Sequence, residues 1–104
     1  MASLDNLTVT SAVDDPTTVV AVGQIDAHTS SLLDDALAAL PADAALVVDL
    51  AGVTFVDSSG LRVIVRAHKR QTAGSGELVL RTPSEPVSRL LDITGLTSEL
   101  TIRF

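Results

Sequence analysis

Residues 45–70 read Ala45-Leu-Val-Val-Asp-Leu-Ala-Gly-Val-Thr-Phe-Val-Asp-Ser-Ser-Gly-Leu-Arg-Val-Ile-Val-Arg-Ala-His-Lys-Arg70. The stretch opens on Leu46-Val-Val-Asp-Leu50, an apolar, β-branched run with the length and composition of a buried strand. It reaches Asp57-Ser58-Ser59-Gly60, and from Leu61 the period changes. Leu61, Ile64, Val65 and His68 fall on one face at helical spacing, and Arg62, Arg66, Lys69 and Arg70 on another. A strand therefore feeds a helix through Asp-Ser-Ser-Gly. A helix N-terminus has unpaired N–H groups and a partial positive charge, so two hydroxyls sit where an anion would be well received. The plain alternative is capping, since Asp and Ser are both preferred N-caps.

Outward from this stretch, the N-terminal side holds two strands and a helix. Leu7–Val13 alternates apolar and polar residues, as a half-exposed strand does, and Thr18–Ile25 is more apolar and more central. Asp14-Asp15-Pro16-Thr17 is expected to turn between them, giving an antiparallel hairpin. Asp26–Ser31 carries helix-start residues. Helical spacing follows in Leu32, Leu33, Ala36, Leu37 and Leu40, and Pro41 closes it.

On the C-terminal side, Thr72–Gly76 ends the central helix and Glu77–Arg81 is a strand. Pro86 suits the first helical position of the next helix, whose buried stripe reads Val87, Leu90, Leu91 and Thr94, with Gly95 as its stop. Leu100–Phe104 reads as a short last strand. The order is β-β-α-β-α-β-α-β. The expected fold is α/β, one domain over residues 1–104, with a mixed four- to five-stranded sheet and helices packed on it.

Composition narrows the function classes. The chain has 104 residues, two Phe, no Trp or Tyr, and no Cys, so disulfides, zinc–thiolate sites and thiol catalysis are excluded. No apolar run is long enough for a membrane span, and the start lacks the pattern of a secretion signal. A cytoplasmic protein without membrane or nucleic-acid partners is expected, the latter because the net charge is −6. The charge is uneven: four of the seven basic residues lie between Arg62 and Arg70. They read as a solvated helix face or as a basic patch for a partner. His28 and His68 stand at unrelated positions and make weak evidence for a metal or a general base, so no metal, cofactor or catalytic residue is expected.

Val47-Val-Asp-Leu-Ala-Gly-Val-Thr-Phe-Val-Asp-Ser-Ser-Gly-Leu-Arg-Val-Ile64 resembles the signature of the STAS domain, and in particular the bacterial anti-sigma factor antagonists. Gly23-Gln-Ile-Asp-Ala-His-Thr29 resembles a second family motif, and Thr82–Leu96 a third. The resemblance covers roughly residues 7–104. It implies Ser58 as phosphoacceptor, with Asp57, Ser59 and Gly60 shaping its loop. Asp26 and Thr29 would lie on the loop beside it, and Leu61, Arg62 and Arg66 would offer partner contact. It implies as partners an anti-sigma factor that is a serine kinase of the GHKL type, and a PP2C-type phosphatase. It leaves monomer or weak homodimer open. Many members run on to a further C-terminal helix where this sequence stops at Phe104, so the resemblance carries over no interface built from that helix.

Three other readings fit parts of the sequence. A small serine hydrolase would place Gly-x-Ser-x-Gly at this turn, but residues 56–60 are Val-Asp-Ser-Ser-Gly. An aspartyl-phosphate receiver on Asp57 or Asp49 would want a late lysine where Arg81 stands. A STAS domain can also serve as a scaffold in another signalling complex without a phospho-switch.

Overall fold

The computed structural model describes residues 2–4 and 6–104. Its strands are β1 (Ala2–Leu4), β2 (Leu7–Ala12), β3 (Asp15–Ile25), β4 (Ala45–Val56), β5 (Glu77–Arg81) and β6 (Thr101–Arg103). Its helices are α1 (Ser30–Ala38), α2 (Ser58–Ala73) and α3 (Glu85–Thr94), followed by a single 3-10 turn at Leu96–Ser98. They form one mixed sheet in the order β1-β2-β3-β4-β5-β6, antiparallel up to β3 and parallel from there on. The five expected strands are present. The sixth, β1, is a three-residue edge strand that no period-2 pattern announced.

The β3-α1-β4, β4-α2-β5 and β5-α3-β6 crossovers all step the same way across the sheet. Such connections are right-handed, so the three helices lie on one face. That face holds the core. Leu7, Val9, Val19, Ala21, Ile25, Leu46, Val48, Leu50, Leu78 and Leu80 from the strands meet Leu33, Leu37, Val63, Ile64, Ala67, Val87 and Leu91 from the helices. The opposite face carries the alternate residues, among them Thr10, Val20, Val22 and Asp49. Asp49, in the middle of β4, pairs with Arg81, the last residue of β5, at 2.9 Å. Burial pushes the Asp49 carboxyl up, but the Ala51 N–H and the Arg81 guanidinium outweigh it and hold it below the usual range.

Several local expectations change. The β2–β3 turn is at Val13-Asp14, because Asp15 already pairs with Ala12 and the extra residues are absorbed as a bulge in β3. Pro16 cannot donate to a ladder. The Asp15 carboxylate fills the gap by accepting from the Thr17 N–H, Thr17 Oγ1 and Thr18 Oγ1. The buried stripe of α2 is Gly60, Val63, Ile64, Ala67 and Gln71, rotated from the expected Leu61, Ile64, Val65 and His68. Leu61 packs at its margin, and His68 is half-buried. In α3, Val87 and Leu91 are buried, whereas Thr94 faces solvent and returns its hydroxyl to the Leu90 carbonyl. Gln71 is fully buried and donates from Nε2 to the Pro41 and Ala44 carbonyls, which ties α2 to the α1–β4 loop.

Candidate functional site

β3 and β4 stay paired to their last residues, Ile25 and Val56. The ladder then continues by one bond beyond the sheet, as the Asp57 N–H donates to the Ile25 carbonyl at 3.2 Å. The two chains therefore leave side by side at the carboxyl ends of parallel strands, where open α/β sheets place their ligand sites. This brings the 26–29 loop and the 57–60 loop together, although they are far apart in sequence.

Asp57 is the N-cap of α2, with extended backbone. Its Oδ1 accepts from the Ser59 N–H at 2.8 Å and the Gly60 N–H at 3.3 Å. The capping reading of Asp57 is thus correct. Ser58 takes the first helical position and is exposed, and its hydroxyl makes no hydrogen bond among the described residues. Ser59 is half-buried on the α1 side. Gly60 is buried beneath them. A Cβ there would stand 2.6 Å from Ile25 Cγ2 and 2.8 Å from Val56 Cγ2, so the first turn of α2 lies directly on the ends of β3 and β4. Gly60→Ala is expected to cost about 1–3 kcal/mol, because both neighbours are β-branched and have little room to yield. Urea denaturation checks this; an unchanged midpoint would mean that the helix start is not held against the strands.

The neighbouring loop is closed on itself. Asp26 Oδ1 accepts from the His28 N–H at 2.9 Å, the Thr29 N–H at 3.0 Å and Thr29 Oγ1 at 3.1 Å. Thr29 Oγ1 accepts from the Asp26 N–H at 3.0 Å and lies 2.8 Å from the Gln24 carbonyl. The arrangement is a reciprocal capping box in which each side chain bonds the other residue's backbone. Thr29 is only 1% exposed, so it shapes the loop from inside. Asp26 remains half-exposed.

The Thr29 N–H, with help from its hydroxyl and the His28 N–H, holds the Asp26 carboxyl below its usual range against the opposing effect of desolvation. A folded pKa below the unfolded one gives stability that is complete above about pH 4 and is lost as pH falls through the lowered value. Asp26→Asn should therefore lower the urea midpoint at neutral pH, and the gap from wild type should shrink as the buffer is taken toward about pH 3. A gap of constant size would assign the loss to shape and not to charge.

On the α1 side of Ser58 lies a groove of about 350 Å³ lined by Ala27, Ser30, Ser31, Asp34, Ser59, Arg62, Val63 and Arg66. Arg66 bridges the two helices to Asp34 at 2.9 Å. At 55% and 25% side-chain exposure, such a pair contributes at most about 1 kcal/mol. Arg62 is exposed, while Leu61 is half-buried at the core margin. Ser30, Ser31 and Asp34 were not marked by the sequence, because their approach to α2 depends on how the helices pack. The two histidines do not form a site: His28 is on the 26–29 loop, whereas His68 is about 15 Å along α2 from Ser58. His68 lines a separate cavity with Leu96 and Leu100.

Residues 8–103 match the STAS domain family. The chain is 36% identical to the anti-sigma-B factor antagonist of Listeria monocytogenes over 82% of its own length and 76% of that protein's. It is 39% identical to the anti-sigma-B factor antagonist of Bacillus subtilis over 71% of its length and 69% of that protein's. The crystal structure of an anti-sigma factor antagonist from Mycobacterium paratuberculosis superposes with a TM-score of 0.75 at 27% identity, covering 99% of this chain and 90% of that one. Parallel strands ending in two joined loops, a capped Asp-Ser-Ser-Gly helix start and these relatives lead to one conclusion: the chain belongs to the STAS-domain family of anti-sigma factor antagonists.

Proposed function

We propose that the unphosphorylated protein binds an anti-sigma factor, which frees the sigma factor that the partner holds, and that phosphorylation of Ser58 ends the binding. The kinase in this reading is the anti-sigma factor itself, of the GHKL type, and a PP2C-type phosphatase restores the free hydroxyl. The protein is then a binding module and a substrate, not an enzyme, and works in the cytoplasm. Among the described residues, no helix is long and apolar enough to cross a membrane.

One observation carries the choice of residue. Ser58 presents an exposed hydroxyl without a hydrogen-bond partner at the first position of α2, on a loop fixed from below by Gly60 and from the side by Asp57. An acceptor hydroxyl must be reachable by a kinase and held in a defined place. Asp57 precedes it with negative charge, and Asp26 stands on the adjoining loop. A phosphate adds about −1.5 to −2 charges there without displacing any packed atom, so the modification changes the docking surface and leaves the fold intact.

Phosphopeptide mass spectrometry on the protein from its own cells, compared between growth and stress, tests the switch. Phosphate on Ser58 with condition-dependent occupancy is the expected result. Absence of phosphate on Ser58 and Ser59 under all conditions would leave a constitutive STAS binding module.

A further inference from the structure

Most of the helix-start donors beneath Ser58 are already taken. Asp57 Oδ1 takes the Ser59 and Gly60 N–H groups, and the Asp57 carbonyl takes the Leu61 N–H at 3.1 Å. A phosphate on Ser58 would thus meet a bound carboxylate, with the Ser58 N–H as the one open backbone donor of the first turn among the described residues and a second carboxylate, Asp26, on the adjoining loop. Opposite charge has to come from a side chain.

Arg62 is four residues after Ser58, one turn along the same face of α2. It is exposed and makes no hydrogen bond or ion pair among the described residues. The next arginine along that face, Arg66, is engaged by Asp34. We propose that Arg62 is the counter-ion of a phosphate on Ser58; this rests on the reading of Ser58 as the phosphoacceptor. A negative group four residues N-terminal to a positive one is the favourable order on a helix. A guanidinium fork also matches two phosphate oxygens. The contact draws the phosphate over the mouth of the groove between α1 and α2. Arg62, open to a partner in the unphosphorylated protein, is then neutralised in the modified one. Phosphorylation both adds an anion and withdraws a cation from the same surface.

The charged groups on the elements around position 58 are Asp57 and Arg62 on its own segment, Asp26 and His28 on the 26–29 loop, and the Asp34–Arg66 pair at the groove. Carboxylates hold the second phosphate proton on, and cations help to release it. The test uses the full chain with phosphoserine encoded at position 58 during translation, so no kinase is needed. Phosphorus NMR then follows the phosphate through its second ionisation, near pH 6 for a free phosphoserine. Arg62→Gln should titrate about 0.3 pH unit higher than the wild-type sequence, Arg62→Lys should fall between, and the difference should fade in about 1 M salt. Arg66→Gln and His28→Gln should change it less. The unphosphorylated Arg62→Gln protein should keep the wild-type urea midpoint. Equal titration of Arg62→Gln and wild type, or a larger change in Arg66→Gln or His28→Gln, would overturn the assignment. The phosphoacceptor reading fails by a different result, the absence of phosphate on Ser58 in cells.

Discussion

Gly23→Ala is expected to remove most of the folding stability of this protein. Gly23 has φ +117°, a conformation that L side chains rarely adopt. A Cβ built there lies 1.8 Å from the Asn6 carbonyl oxygen and 2.9 Å from its carbonyl carbon. Neither obstacle is a flexible side chain. Asn6 is held in place because its carbonyl accepts the Gln24 N–H at 2.8 Å, which joins the approach to β2 to the end of β3. Relief requires β2 and β3 to part. The cost should exceed about 3 kcal/mol, a large share of the 5–15 kcal/mol that holds an ordinary domain together. The damage should also reach the site, because Thr29 Oγ1 lies 2.8 Å from the Gln24 carbonyl. Urea denaturation is the measurement. Gly52→Ala serves as its control, since the three atoms nearest a Cβ there all belong to the half-exposed side chain of Val22, the first at 3.0 Å, and it should cost less than about 1 kcal/mol. Equal losses at the two glycines would contradict the geometry.

The second large effect concerns binding. Ser58→Asp should weaken the complex with the anti-sigma factor by at least about tenfold, whereas Ser58→Ala should bind as wild type and resist modification. A carboxylate at position 58 adds a third acidic side chain to Asp26 and Asp57 at the head of α2. One badly placed charge in an interface costs several kcal/mol, enough to release a partner. The fold should be unaffected, because Ser58 is exposed and bonds nothing among the described residues. Titration calorimetry with the purified partner, together with urea midpoints for both variants, separates the two effects. Tight binding by Ser58→Asp would show that the partner tolerates negative charge at this position, and the switch would then need another basis.

The Asp57–Gly60 stretch was legible because its chemistry is local. Asp57 caps the helix that follows it in sequence, and the change from the strand period to the helical period at residues 57–61 marks the turn without reference to any distant residue. The hairpin, the alternating helices and the parallel half of the sheet follow from the same local periods. The exact turn at Val13-Asp14 did not, because a bulge in β3 is decided by pairing with β2. Nor did β1, whose three residues are too few to show a period.

Sequence alone determined the order of the elements from β2 onward and the helix start at Asp57-Ser58, since capping, turn chemistry and periodicity act between residues a few positions apart. Tertiary structure decided which residues share a surface. The Asp57–Ile25 bond joins the two loops, the clash-free contact of Gly60 with Ile25 and Val56 seats the helix, and Asp34 engages Arg66 while leaving Arg62 open. The Asp34–Arg66 contact joins residues 32 apart in the chain and exists only once right-handed crossovers have laid α1 and α2 side by side on one face of the sheet.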